Sequence, residues 1–358
     1  MEIEDTKKIS SSKLFSMTGG EGKYSYVNNS SFQKMGLDIA KKLMQEEITK
    51  KLDIDKNISS PPNVFRIADL GCAAGPNTFF LVQDIIDAVK SKYESEEIEF
   101  QVFFNDHSAN DFNTLFRTLP VGKDYFANGA SGSFYERLFP KASLHLVHSS
   151  YAIHWLSKVP EKVQDKGSPA WNKGSILYEN CREVGFVYAA QFANDFDTFL
   201  KARAEEMVPG GLMVLLFPSV QTEANPPKCI LVTIYELVGS SLMDMAKMGL
   251  VDESKVDSFN LHLYFPSAEE VKTIVERNGS FKIEKMQQLD RLMPTIEKLA
   301  LVIRAASEEI VRDHFGGEII DELYNRFTKK LEQSGFFSDS SFVPNLDLFT
   351  FLKRNGGE

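Results

Sequence analysis

The chain has 358 residues, 43% hydrophobic and 25% charged, the balance of an ordinary globular protein somewhat longer than one average domain. A formal net charge of −10 argues against nucleic acid or an anionic membrane as main partner, since either would favour a basic face. Three widely spaced cysteines (Cys72, Cys181, Cys229) make neither a disulfide framework nor a zinc set, and no apolar run approaches the roughly 20 residues that span a bilayer. The opening "MEIEDTKKISSSKLF" lacks the apolar centre of a secretory signal, so a reduced, cytoplasmic protein is expected.

From Ser31 the apolar residues Phe32, Met35, Ile39 and Leu43 recur at helical spacing to about Leu52, and "ISSPP" (Ile58–Pro62) punctuates. "VFRIADL" then reads as a buried strand, Asn77–Lys92 as a helix, and "EFQVFFND" (Glu99–Asp106) and "SLHLVHSS" (Ser143–Ser150) as further strands. Asn194–Val208 reads as a helix stopped by Pro209–Gly211, with the strand "LMVLLFPS" following. Helices are expected over about Ile230–Met248 and within Ser267–Ser280, where a glycine terminates. "FKIEKMQ" and "LFTFLKR" read as closing strands around one last long helix, Ile296–Gln333. Strands alternating with helices imply a parallel-rich sheet covered on both faces; with no repeat and no linker, a single domain over residues 1–358 is expected.

The stretch "RIADLGCAAGPNT" (Arg66–Thr78) carries the first chemical signal. In a doubly wound sheet, ligands sit outside the carboxyl ends of strands, where strand order reverses. Gly71 and Gly75 let backbone approach a ligand, and Asp69 would repel a phosphate; neither Gly-Lys-Ser/Thr nor Gly-x-Gly-x-x-Gly is present. Asp106, ending the next strand, is the natural ribose-binding acid. A cationic, phosphate-free nucleoside, S-adenosyl-L-methionine, fits this pattern best; on this motif alone a dinucleotide enzyme and a plain strand-to-helix turn stay open. His145 and His148 point to opposite faces of a strand, which argues against a zinc pair, and "GASGS" lacks the final glycine of a nucleophile elbow. Cys72 reads as a small packing residue.

Further segments occur in a fixed order: "MTGGEGKYSYVNNSSFQ", "ADLGCAAGPNT", "FFNDHSANDFNTLF", "GSFYERLFP", "HSSYAIHWLSKVP", "WNKGSI", "FLKARAEEMVPGGLMV" and "VDSFN". Together they resemble the SABATH family of plant S-adenosylmethionine-dependent methyltransferases over nearly the whole chain, with "FFNDHS" and "HWLSKVP" most like the loganate and farnesoate carboxyl methyltransferase branch. The resemblance implies a Rossmann-like class I methyltransferase fold. Its mostly parallel seven-stranded sheet would carry a helical cap from about 219–280 and 289–335, with contributions from 1–53. It further implies a homodimer and S-adenosyl-L-homocysteine as product. Tyr26, Cys72, Asn77, Asp106, His107, Ser133, Phe134 and Ser150 match its cofactor contacts, with Asp69 supporting the glycine loop. Gln33, Tyr151, His154 and Trp155 match positions holding the methyl acceptor. Asn172, Asp257, Phe259 (through its carbonyl) and Asn260 match a magnesium site, an oxygen-only set suited to that hard cation.

Methyl transfer to a carboxylate, already ionised at neutral pH, needs alignment and no general base. Gln33 and Trp155 offer neutral donors that can hold one carboxylate oxygen while the other attacks. Each assignment has a plainer reading: Trp155 as core, His154 as a structural histidine, and the magnesium set as turn and cap residues. Thr18 stands where many family members have Lys, which weakens the case for a small, strongly anionic substrate such as salicylate. His262, in "NLHLYFPS", would reshape the cap or add a polar contact. The expected activity is methyl esterification of a small plant carboxylic acid, terpenoid or iridoid ahead of salicylate or jasmonate. Alternatives are N-methylation of a purine-like heterocycle, a non-catalytic ligand-binding relative, and a nicotinamide oxidoreductase.

Overall fold

The structure, a computed structural model, describes residues 17–53, 63–93, 98–178, 181–220, 230–335 and 345–356; Cys229 and the Ile58–Pro62 punctuation lie outside the described residues. In chain order its elements are α1 (Ser31–Lys51), β1 (Val64–Leu70), α2 (Asn77–Tyr93), β2 (Glu99–Asp106), α3 (Phe112–Arg117), β3 (Phe126–Ser131), β4 (Leu144–Ser150) and α4 (Arg182–Glu206). They continue with β5 (Met207–Ser219), α5 (Ile230–Lys247), α6 (Glu253–Ser258), α7 (Ala268–Asn278), β6 (Phe281–Arg291), α8 (Ile296–Phe315), α9 (Ile320–Gln333) and β7 (Asn345–Arg354). Among the described residues the strands form one seven-stranded sheet in the order β3-β2-β1-β4-β5-β7-β6. β7 runs antiparallel to both neighbours and the other pairs are parallel. This is the mostly parallel methyltransferase sheet expected from the motifs.

Alternation along β1 sends Phe65 and Ile67 to one face, with Met44 and Ile48 of α1 and Val82, Ile85 and Val89 of α2. Ala68 and Leu70 face the other side, with Phe192, Phe196 and Phe199 of α4 and Val271 and Val275 of α7. β1 pairs with β2 on one edge and β4 on the other, so the strand order reverses at β1 and opens a crevice beyond its carboxyl end. α5 and α8 both pack on α9 and add a helical layer near that crevice. No helix of the described residues is long and apolar enough to cross a membrane.

Several boundaries differ from the sequence reading. α4 begins at Arg182, twelve residues before the expected Asn194, because Val184, Tyr188 and Phe192 already bury one helical stripe. The helix stops at Glu206, and Pro209–Gly211 lie within β5, in a bulge where the register jumps from Leu144↔Met207 to Leu146↔Leu212. The last long helix is two: Gly316 takes φ +99°, a backbone state L side chains rarely adopt, and a short 3-10 turn at Gly317–Ile319 separates α8 from α9. The edge strand β3 and the short helices α3 and α6 are additional; each is only six residues long.

Candidate active site

Beyond β1, Gly71 turns with φ +81°, and a Cβ there would lie 2.3 Å from that of Ala152. The Gly71 and Cys72 N–H groups donate to the Asn105 carbonyl (2.9 and 3.0 Å), closing the turn onto β2. Ala73 N–H donates to Asp106 Oδ2 and His107 N–H to Asp106 Oδ1, both at 2.7 Å. Burial raises the Asp106 carboxyl to about 6, against the pull of those two N–H groups. The carboxylate faces a cavity that Tyr26, His107, Ser133 and Phe134 also line.

The cavity's other end is built by α1 and by the loop leaving β4. Gln33, Tyr151, His154 and Trp155 line it, together with Phe32, Leu231, Phe265 and Ile303. The His154–Leu156 segment is fixed against 262–264. His154 O accepts from Tyr264 N–H (2.9 Å), Trp155 bridges Leu263, and Leu156 N–H donates to His262 O (2.7 Å). The His154 ring stacks on Phe265 at a 5.6 Å centroid distance. Burial, and then Arg291, push its pKa down to about 3, so His154 is neutral at physiological pH. His154 Nδ1 and Gln33 Oε1 are buried without a hydrogen-bond partner, two polar atoms that a ligand in this cavity would satisfy.

Nine expected contact residues thus line one cavity: Tyr26, Gln33, Asp106, His107, Ser133, Phe134, Tyr151, His154 and Trp155. Four expected cofactor residues are not on its wall. Asp69 is spent on the frame, accepting from His148 Nδ1 (2.8 Å) and the Thr78 hydroxyl. Asn77 Nδ2 donates to the Ser30 carbonyl (3.0 Å) and pins the start of α1. Cys72 is buried, and burial followed by Asp106 and Asp69 raises its thiol well above the ordinary value, so it is no nucleophile. Ser150 ends β4, half-buried. His145 Nδ1 accepts from Arg66 N–H (2.9 Å) while His148 reaches Asp69, so the two histidines do not converge.

Asn172, Asp257 and Asn260 do share a neighbourhood, but as a hydrogen-bonded staple between the 172–177 loop and the end of α6, with Phe259 between Asp257 and Asn260 in the chain. Asn172 Nδ2 donates to Asn260 Oδ1 (2.7 Å) and to the Leu177 carbonyl (2.5 Å), and Gly174 N–H donates to Asp257 Oδ1 (3.1 Å). The orphaned buried atom there is a donor, Asn260 Nδ2, which a cation would repel. As the amides stand, Asn260 turns its nitrogen to the unpartnered side and its oxygen is occupied, so this arrangement does not present the oxygen-only set that magnesium takes. His262 lies behind the indole of Trp155 at 5.1 Å, buried and off the cavity wall, so it backs Trp155 without touching the cavity.

The sequence reading missed the frame that carries the acceptor end. Arg291 and Asp347, both buried, pair at 3.2 Å, and the Tyr151 hydroxyl donates to Asp347 Oδ2 at 2.6 Å. The N-terminal segment is tied down as well: Thr18 N–H donates to the Ala305 carbonyl (3.1 Å), and the Arg304 guanidinium lies 3.4 Å from the Tyr24 ring centre.

Residues 12–355 match the family described as SAM dependent carboxyl methyltransferase. A loganic acid O-methyltransferase of Catharanthus roseus is 44% identical, covering 95% of this chain and 94% of the relative. A farnesoic acid carboxyl-O-methyltransferase of Arabidopsis thaliana is 39% identical, covering 96% of this chain and all of the relative. A solved loganic acid methyltransferase with SAH superposes with a TM-score of 0.91 at 43% identity, covering 95% of this chain and 99% of the other. Motifs, sheet order, cavity and overall likeness agree, and the chain belongs to the SABATH family of S-adenosylmethionine-dependent carboxyl methyltransferases.

Proposed function

We propose that the chain esterifies the carboxyl group of a small terpenoid-type acid, with the cofactor at the Asp106 end of the cavity and the acid at the Gln33–Trp155 end. The carrying observation is the pair of unpartnered buried atoms, Gln33 Oε1 and His154 Nδ1, set among apolar walls of Phe32, Leu231, Phe265 and Ile303. Such a site suits an apolar body bearing one small polar head. A half-turn of the Gln33 amide exchanges its oxygen for a donor nitrogen, which a carboxylate would select.

S-adenosyl-L-methionine supplies an electrophilic methyl group. Asp106 is placed to accept the two ribose hydroxyls, with Phe134 available to stack on adenine and Ser133 and His107 beside it. Gln33, His154 and the Trp155 indole would orient the carboxylate through neutral donors, leaving one oxygen free to attack. Alignment of this kind supplies about 7–11 kcal/mol of a displacement barrier. His154, held neutral, neither accepts nor delivers a proton in this scheme. Magnesium has no step in it. The proposal includes a helical cap over about 219–280 and 289–335 with contributions from 1–53, a homodimer in solution and a cytoplasmic location.

Incubating the purified chain with methyl-labelled S-adenosylmethionine and a panel of terpenoid acids, salicylate, jasmonate and xanthines tests the reading. Label is expected in a terpenoid methyl ester. Label only in xanthines would replace the reading with N-methylation, and cofactor binding without product from any acid would leave a binding protein.

A further inference from the structure

One buried ion pair sits directly behind the acceptor end of the cavity. Arg291 closes β6, Asp347 lies on β7, and their side chains are 0% and 1% exposed. The guanidinium carbon is 3.4 Å from the centre of the Phe32 ring and 5.1 Å from that of Tyr151, and Nη1 donates to the Phe32 carbonyl at 3.3 Å. Phe32 and Tyr151 both line the cavity, so the cation is separated from it by aromatic faces. At the other end of the pair, Asp347 Oδ2 accepts the Tyr151 hydroxyl. Tyr151 itself is held at φ +53°, with its N–H donating to the Leu216 carbonyl at 2.7 Å. The fold makes room for this contact at Gly36, where a Cβ would sit 1.6 Å from the Tyr151 hydroxyl oxygen.

Buried ion pairs are seldom required for stability, because well-packed apolar side chains of similar volume serve as well. We propose that Arg291, clamped by Asp347, is a positioning residue for the methyl acceptor, its positive end turned through Phe32 and Tyr151 toward the cavity so that a carboxylate is favoured there over a neutral group. This rests on the carboxylate reading of the acceptor site. His154, at the same end of the cavity, lies within reach of that charge: after burial, Arg291 is the cause of its lowered pKa. A guanidinium in contact with the acid would grip the attacking oxygen and quench it. Behind two rings it attracts the anion while leaving its lone pairs free. The Asp347 end meanwhile locks Tyr151, which fixes the wall against which the acid lies.

The test uses the full chain with farnesoic acid and loganic acid as probe acceptors and S-adenosylhomocysteine in calorimetry. In the apolar exchange Arg291→Met with Asp347→Leu, KM for the acid turned over should rise about tenfold or more, with kcat changed less than about threefold and S-adenosylhomocysteine affinity unchanged. Arg291→Lys, which keeps the charge, should return KM to within about threefold of wild type. Unchanged KM in the exchange, or a fall in kcat alone, overturns the inference while leaving the carboxylate reading intact. Where neither probe is turned over, the productive acid of the wider panel takes their place, and turnover of no acid by the wild-type chain overturns both. Should the exchange fail to fold, wild-type inhibition by the productive acid and by its primary amide decides. The acid should bind about tenfold tighter or more, and equal binding overturns the inference.

Discussion

Trp155 carries the most local version of the acceptor assignment, because its backbone is already committed by the bridge to Leu263 and its ring by the packing against His262. A purely structural indole would lose fold and cofactor affinity together when removed. An acceptor-binding indole should not. Trp155→Ala is therefore expected to abolish methylation while S-adenosylhomocysteine affinity, read by calorimetry, stays within a few fold of wild type; equal loss of both would make Trp155 scaffold. Asp106, Phe134, His154 and Trp155 were legible in the sequence because each sits in a short motif next to a strand end. Arg291, Asp347 and Gly36 were not. Arg291 in "QLDRLMP" looks like a solvated strand end, and its burial depends on a carboxylate 56 residues later and a helix some 255 residues earlier. Asp69, expected to support the glycine loop, does so through Thr78 and His148, partners that its motif does not show.

Among the elements, α7 shows how far local chemistry alone can specify structure. Ser267 Oγ accepts from Glu270 N–H, Glu270 Oε2 accepts from Ser267 N–H at 2.8 Å, and Gly279 ends the helix at φ +72°. These signals lie within thirteen residues, and the helix falls inside the expected Ser267–Ser280 stretch, ended by its glycine. Ser267→Ala removes the cap and should lower unfolding stability by about 1 kcal/mol, measured as a shift in denaturant midpoint, with methylation kinetics unchanged. A loss of activity without a loss of stability would mean that the cap instead positions Tyr264 and the segment paired with Trp155. The start of α4 and the break between α8 and α9 depend on less local information. In α4 the buried stripe was present, but no cap marks where it begins: Cys181 at the N-cap makes no side-chain bond to the first-turn backbone, its thiol donating instead to Glu183 Oε2 at 3.2 Å. At the α8–α9 break, an uninterrupted apolar periodicity hid two glycines that take the chain out of the helix.

For the molecule as a whole, the parallel strands β1, β2 and β4 deliver Asp106, Tyr151, His154 and Trp155 to the carboxyl end of the sheet. The helices α1, α5 and α8 close over them with Gln33, Leu231 and Ile303. That arrangement brings a cofactor end and an acceptor end together without a titrating acid–base pair at the point of transfer. Asp106 is the lining carboxyl whose pKa of about 6 approaches the working range, and it belongs to the cofactor end. Below that pH it holds a proton that must leave before it can accept both ribose hydroxyls, so cofactor affinity should fall about tenfold per pH unit there. The most direct measurement is the pH dependence of kcat and of KM for S-adenosylmethionine, from about pH 5 to 9, with a productive acid at saturation. Alignment without proton transfer predicts that KM climbs below about pH 6 while kcat stays level above it. A kcat that falls with an apparent pKa near 6 or 7 at saturating cofactor would contradict it, and would make a titrating side chain part of the chemistry.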